Sequence, residues 1–299
     1  MRVGVDFGGT KIEAIAIDAR GVERCRWRVD TPREDYDASV RAVASLVAAV
    51  EHETGEEGTV GVGIPGAVSP ATGLIKNANS TWLIGRPLHL DLERALGRPV
   101  RVANDANCFA LSEATDGAGA GAPVVFGVIL GTGVGGGVVV NGRVLTGANA
   151  IAGEWGHNAL PWPDDQEWPG PPCYCGRRGC IEVFLCGRGL QLAYGADAPE
   201  ARAIADAGAS GDARASDALT VYVRRLAKAL ATVVNTLDPD VIVLGGGLSN
   251  IDALYARVPE EWRHWVFSDR VDTRLVRARH GDSSGVRGAA WLWPEERGA

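Results

Sequence analysis

A chain of 299 residues, nearly half of them apolar, has the length for two ordinary domains and the material for a core in each. No apolar run approaches the roughly 20 residues that cross a bilayer, and Met1 runs into a strand-like stretch rather than a charged leader and apolar h-region, so the expected setting is cytoplasmic, away from membranes. A net charge of −7 without an acidic tail disfavours nonspecific contact with nucleic acid or anionic lipid, while leaving room for one phosphorylated small molecule in a local pocket.

Residues 3–6 read as a buried strand, and alternation over 12–18 predicts a second, so the turn Gly8-Gly9-Thr10 joins two strands. Helical spacing of Val40, Val43, Leu46, Val47 and Val50 predicts a helix over 36–54. A strand follows over 60–64, closed by Pro65-Gly66. A short helix over 88–96 is terminated by Gly97. A strand over 99–103 then runs into a helix that Asn104-Asp105 opens, reaching about residue 114. Beyond a Gly/Ala-rich link at 117–123 the pattern restarts, with a strand over 124–130, the glycine run GTGVGGG, and a strand over 138–140 that ends in the hairpin pair Asn141-Gly142. Strand, glycine turn, strand therefore occurs twice, which suggests two related halves. Residues 162–172 read as an irregular loop, 216–237 as a long helix, 241–247 as a strand entering a third glycine turn, and 285–293 as a closing helix.

Gly131, Gly133 and Gly136 match the dinucleotide-binding spacing, but that motif needs a helix after it and here a hairpin follows. The surviving reading is phosphate held by backbone amides, since glycine permits close approach and positive φ. Thr10 and Thr132 add hydroxyl donors. Each turn alone could be a plain tight hairpin; three of them at strand ends favour a nucleotide. Asp6, two residues before Gly8, fits this picture if Mg²⁺ lies between its carboxylate and the phosphates, directly or through water. The alternative is a strand-end aspartate that caps the turn.

Of six cysteines, Cys25, Cys108 and Cys186 are scattered and read as small buried groups. Cys173, Cys175 and Cys180 with His157 give H-x15-C-x-C-x4-C, a complete tetrahedral N/S set for Zn²⁺ with no position open for water, hence a structural site.

Taken together, DFGGTK, ILGTGVGGG, GEWGHN, CYCGRRGCIE and VIVLGGGLSN resemble the ROK family of sugar kinases, and do so over nearly the whole chain. GIPGAVSP, KNANSTWL, RVANDANCFALSEA and HGDSSGVRGAAWLWP look closest to its bacterial fructokinase/mannokinase branch. The resemblance implies an α/β, two-domain actin-like ATPase (ribonuclease H-like) fold that closes over ATP and a hexose, and a homodimer. It divides the chain into residues 1–117 with about 285–299, and a larger zinc-bearing domain over 118–284. No DNA-binding module is expected, because the chain starts at the first strand and is acidic.

The residues around 104 and 105 leave helix cap and catalytic base equally open for Asp105; the resemblance selects the base, which would take a proton from a sugar hydroxyl as it attacks the γ-phosphorus. Asn104 is expected to hold neighbouring hydroxyls. Glu154 and Glu182 flank the metal ligands, so zinc is expected to fix both around the hexose, with the second ring nitrogen of His157 reaching a hydroxyl; the plain alternative is solvated surface charge. Gly66 and Asn79 are sugar-site candidates by resemblance alone, while Trp82 and Trp155 read as packed rather than stacked on a sugar. The nucleotide set is Asp6, Gly8, Gly9, Thr10, Lys11, Gly131, Thr132 and Gly133, with Gly245, Gly246 and Gly247 near the adenosine. The resulting expectation is an ATP- and Mg²⁺-dependent, zinc-containing fructokinase that converts D-fructose to fructose 6-phosphate, with mannose as a further substrate. The alternatives are a kinase of N-acetylglucosamine or glucose and, from another class, a non-catalytic sugar sensor.

Overall fold

The computed structural model describes residues 1–293. The chain forms two units, one made of 1–121, 137–152 and the segment from 282 onward, the other of 122–136 and 153–281. In the first, apolar alternation at the start gives β1 (Arg2–Phe7) and β2 (Lys11–Ile17), followed by β3 (Glu23–Asp30), α1 (Tyr36–Thr54), β4 (Thr59–Ile64), the short pair β5 (Ala67–Val68) and β6 (Ile75–Lys76), α2 (Leu88–Leu96), β7 (Val100–Asn104) and α3 (Asp105–Thr115). The sheet order is β3-β2-β1-β4-β7. β1 lies antiparallel to β2 and parallel to β4, which is parallel to β7. Helix α1 starts where Asp35 accepts the Ala38 amide and stops at Gly55, which takes φ 69°. Its stripe of Val40, Val43, Leu46, Val47 and Val50 joins Val3, Val5, Ile12 and Val62 in one buried cluster. Each such side chain contributes about 1.5–3 kcal/mol when fully buried.

The second sheet is built from β8 (Val124–Leu130), β9 (Val134–Val140), β10 (Arg143–Val144) and, after the helices α4 (Ile181–Leu185), α5 (Gly187–Tyr194), α6 (Ala201–Ala209) and α7 (Ala213–Leu237), β11 (Val241–Gly245), then α8 (Ala253–Glu261) and β12 (Arg274–Arg277). Its order is β10-β9-β8-β11-β12, with β11 parallel to both neighbours. Helix α7, capped by Asp212, buries Tyr222, Leu226 and Leu230, and also Lys228.

The last described helix, α9 (Ser284–Ala290), returns to β1 and β4. Two glycines in those strands let its backbone touch the sheet: a Cβ on Gly4 would lie 2.1 Å from Val286 O, and one on Gly61 1.9 Å from Ala289 O. Among the described residues, no helix is long and apolar enough to cross a membrane.

The structure departs from the sequence reading in three places. β9 begins at Val134, so part of the glycine run is strand rather than turn. The reason is steric: a Cβ on Gly136 would lie 2.7 Å from both Gly153 O and Trp155 Cδ1, and one on Gly137 2.6 Å from Ala106 O. Residues 137–152, which the sequence reading gives to the second domain, group with the first unit, where Lys76 Nζ donates to Asn149 O at 2.6 Å. Finally, β3, α4, α5, α6, α8 and β12 carry periodicity too weak or too short to be read from the sequence.

Candidate active site

In the first unit the predicted residues sit at the C-terminal ends of parallel strands, the edge where α/β sheets hold ligands. Asp6 lies near the end of β1, Gly66 just past β4, and Asn104 and Asp105 where β7 becomes α3. Asn104, not Asp105, is the helix cap: its Oδ1 accepts from Ala106 N at 2.9 Å and Asn107 N at 3.3 Å. Asp105 occupies the first helical position, with Oδ1 2.8 Å from Ala106 N. Asn104 Nδ2 donates to Gly66 O at 3.1 Å, so much of this side chain serves the local fold, and one N–H is left for a hydroxyl. Gly66 needs its φ of 83° and the missing Cβ, which would lie 2.4 Å from Lys76 O and 2.8 Å from Ala78 N. Asn79, next along the chain, is exposed.

Burial, then the negative charges of Asp105 and Glu13, push the Asp6 carboxyl up to about 7, against a smaller opposite pull from Lys11. A carboxyl crowded by like charge is one that a cation would relieve, which is the fit expected of a Mg²⁺ position. Because the folded value lies above the unfolded one, the neutral form is favoured on folding. Its stabilising contribution is complete below the ordinary aspartate range and is lost as pH rises toward and through about 7. We expect the Tm of ligand-free Asp6→Asn to fall less between pH 5 and 8 than that of the parent protein, in parallel thermal melts; equal slopes would refute this.

The glycine turn after β1 is closed by Gly8 N donating to Lys11 O at 3.0 Å. Residues 31–33 lie against it, through Thr31 Oγ1 to Gly8 O, 2.7 Å, and Arg33 Nε to Gly9 O, 3.1 Å. The sequence reading passed over this stretch, because T-P-R between a strand and a helix carries no glycine signature.

In the second unit, Gly131 N donates to Gly133 O, and Gly187 N at the start of α5 donates to Gly131 O. Glu182 closes the same turn, its Oε2 accepting from Val134 N at 3.1 Å, and a Cβ on Gly133 would lie 2.8 Å from that oxygen. Gly246, at φ 79°, presses against the end of β8, where a Cβ would lie 2.4 Å from Leu130 O. The turns holding Gly131, Thr132 and Gly133, and Gly245, Gly246 and Gly247, therefore lie at the C-terminal ends of adjacent parallel strands. Trp155 is packed, edge-on to Phe126, and Trp82 donates to Ser39 Oγ.

His157, Cys173, Cys175 and Cys180 converge, with their donor atoms all within 4.8 Å of one another. Two backbone pairings bring them there, Ala159 with Cys180 and Pro172 with Arg178. Cys175 Sγ and Cys180 Sγ are 3.6 Å apart, and Cys173 Sγ and His157 Nδ1 3.7 Å. Those edges match a tetrahedron with metal–sulfur bonds of about 2.3 Å. Burial pushes the Cys180 thiol up to about 12 and raises Cys173, while the Arg177 amide lowers Cys175. The set fits a zinc-like cation. His157 Nε2 lies 3.0 Å from the hydroxyl of Tyr174, a partner the sequence reading did not find. Glu182 lies beside this cluster, with Oε1 3.9 Å from Cys173 Sγ, and both Glu154 and Glu182 act on Tyr174 electrostatically.

The model of the ROK family matches residues 2–296. The chain is 43% identical over 303 residues to an N-acetyl-D-glucosamine kinase of Escherichia coli O9:H4 strain HS, covering 98% of this chain and 99% of the relative. It is similar to the crystal structure of a ROK hexokinase from Thermus thermophilus, with TM-score 0.84, 34% identity and 97% of each chain covered. It is also similar to a ROK family glucokinase from Streptomyces griseus, solved with glucose and AMPPNP, with TM-score 0.77, 29% identity, and 97% of this chain and 98% of that one covered.

Proposed function

The chain belongs to the ROK family, and we propose that it is an ATP-dependent sugar kinase whose preferred substrate is N-acetyl-D-glucosamine. The observation that carries the sugar is the 43% identity to an N-acetyl-D-glucosamine kinase over 98% of the chain. It favours the acetamido sugar over fructose, the first expectation from sequence. An ATP-coupled assay with N-acetylglucosamine, glucose, mannose and fructose tests it. The amino sugar should give the highest kcat/KM. Fructose in first place would overturn the choice, and no turnover with any of the four would point to a sugar-sensing protein.

The chemistry follows from the residues. A sugar hydroxyl is a weak nucleophile, and Asp105 takes its proton as the oxygen attacks the γ-phosphorus. Asn104 has already satisfied the start of α3, so the Asp105 carboxylate is not needed as the cap. Amides of Gly8, Gly9 and Thr10, and of Gly131, Thr132 and Gly133, hold the phosphate chain where charge develops. Gly245, Gly246 and Gly247 border the adenosine, and Lys11 adds positive charge near Asp6. Mg²⁺ near Asp6 would offset phosphate charge. Gly66 and Asn79 line the sugar site beside Asn104, and Glu154, His157 and Glu182 offer acceptors to its hydroxyls.

A cation held by His157, Cys173, Cys175 and Cys180 would be structural, with all four ligands from protein. Glu182 joins that cluster to the turn at Val134, so loss of the cation should disturb sugar contacts first. We expect about one zinc per chain by elemental analysis, and chelation to raise the sugar KM before the protein unfolds. Fully active protein free of metal would end this assignment.

A further inference from the structure

The strap formed by residues 31–33 covers the phosphate turn on its carbonyl side. Thr31 N donates to Thr10 O at 2.9 Å, and Thr31 Oγ1 to Gly8 O at 2.7 Å. Arg33 Nε donates to Gly9 O at 3.1 Å, and Arg33 Nη2 to Thr10 Oγ1 at 3.0 Å. Every carbonyl oxygen of Gly8, Gly9 and Thr10 thus faces a donor of the strap. An anion approaching this turn is spared their repulsion. The bond to Thr10 Oγ1 has a second consequence. A hydroxyl has one proton and two lone pairs. A guanidinium that donates to the oxygen fixes that side of the hydroxyl as acceptor and leaves its proton to point elsewhere. Donation from a cation also polarises the O–H and makes it a better donor in turn.

We propose that Arg33 is a positioning residue for phosphoryl transfer: its fork grips Gly9 O and Thr10 Oγ1 together and directs the Thr10 hydroxyl proton to a phosphate oxygen of the nucleotide. The proposal rests on the reading of Gly8, Gly9 and Thr10 as a phosphate-binding turn. A lysine offers a point charge and cannot hold two acceptors in one plane. A purely structural strap would act on stability and leave the nucleotide affinity of the folded protein untouched.

The test is a double-mutant cycle on the affinity of full-length protein for Mg²⁺ and a non-hydrolysable ATP analogue, by calorimetry, with Tm and the sugar KM recorded alongside. Arg33→Gln and Thr10→Val should each weaken the analogue about tenfold, the scale of one charge-assisted hydrogen bond. The double variant should bind no more weakly than Thr10→Val alone. Arg33→Lys should behave like Arg33→Gln, and the sugar KM should hold. Additive losses, an Arg33→Gln protein that binds like the parent, or full rescue by lysine would overturn the proposal. If the parent protein binds no analogue, the phosphate-turn reading falls and takes this inference with it; if the parent binds and Arg33→Gln binds equally, this inference alone fails.

Discussion

Asp105→Asn should lower kcat by about 10²–10⁴-fold, the range for loss of a general base, and leave the protein folded. The replacement keeps shape and removes only the ability to take a proton. The fold tolerates it for two reasons. The helix cap is Asn104, so the start of α3 keeps its bonds to Ala106 and Asn107. Two charge effects also oppose each other. A carboxylate in the first turn stabilises a helix by about 0.3–1 kcal/mol, but the charge of Asp105 also bears on Asp6 as repulsion. We therefore expect Tm within a few degrees of the parent and a sugar KM changed far less than kcat. A variant with near-normal kcat would remove Asp105 from the chemistry.

The largest effect on stability is expected at a site away from the chemistry. Glu167, 4% exposed, accepts from Arg225 Nε at 2.8 Å and Lys228 Nζ at 3.1 Å, and Lys228 is 1% exposed. Burial pushes the Glu167 carboxyl up, but Arg225, the Asp164 amide and Lys228 outweigh it and hold it below its ordinary range. The stability it supplies is thus present above the usual glutamate value and lost as pH falls through the lowered one. Glu167→Gln leaves a buried ammonium without an anion, which costs about 3–5 kcal/mol. For a unit of this size that is roughly 10 °C in Tm. Glu167→Gln combined with Lys228→Met should recover much of the loss, because the pair is removed rather than broken. A single variant that melts within 2–3 °C of the parent, taken as roughly 1 kcal/mol, would show that the ammonium finds solvent. Lys228 also donates to Trp162 O at 2.7 Å, so the Trp- and Pro-rich loop before the cysteines is fastened to α7 by the same group.

The legible parts of the fold were those with a long, clean period. Helix α1 spans 36–54 as its valine and leucine spacing predicts, and α2 ends at Gly97, whose φ of 68° a Cβ would strain. Strand β9 was half hidden because glycine in a strand looks like glycine in a turn; only the neighbours Trp155 and Ala106 reveal why the side chain is missing. Short helices such as α4, five residues long, are held by tertiary contacts and leave little pattern behind. At the site, residue types with chemical intent were readable: carboxylates, clustered thiols, glycines at strand ends. The residues that orient them were not. Thr31 and Arg33 act through backbone oxygens that no motif encodes, and Tyr174 meets His157 only once the hairpin through Cys173 and Cys175 has formed.

The close seat of α9 bears on how this protein is made. Gly288 has no room for a methyl group, since its Cβ would lie 1.6 Å from Cys108 O, so the helix is embedded against α3 as well as the sheet. The strands it covers leave the ribosome early, and the helix leaves last. Domains generally fold as units in the order of synthesis. Here the amino-terminal unit must wait, with the apolar faces of Ile15 and Ile17 uncovered, until translation delivers Val286 and Ala290 to close over them. A stalled or shortened nascent chain would expose that surface to chaperones and proteases.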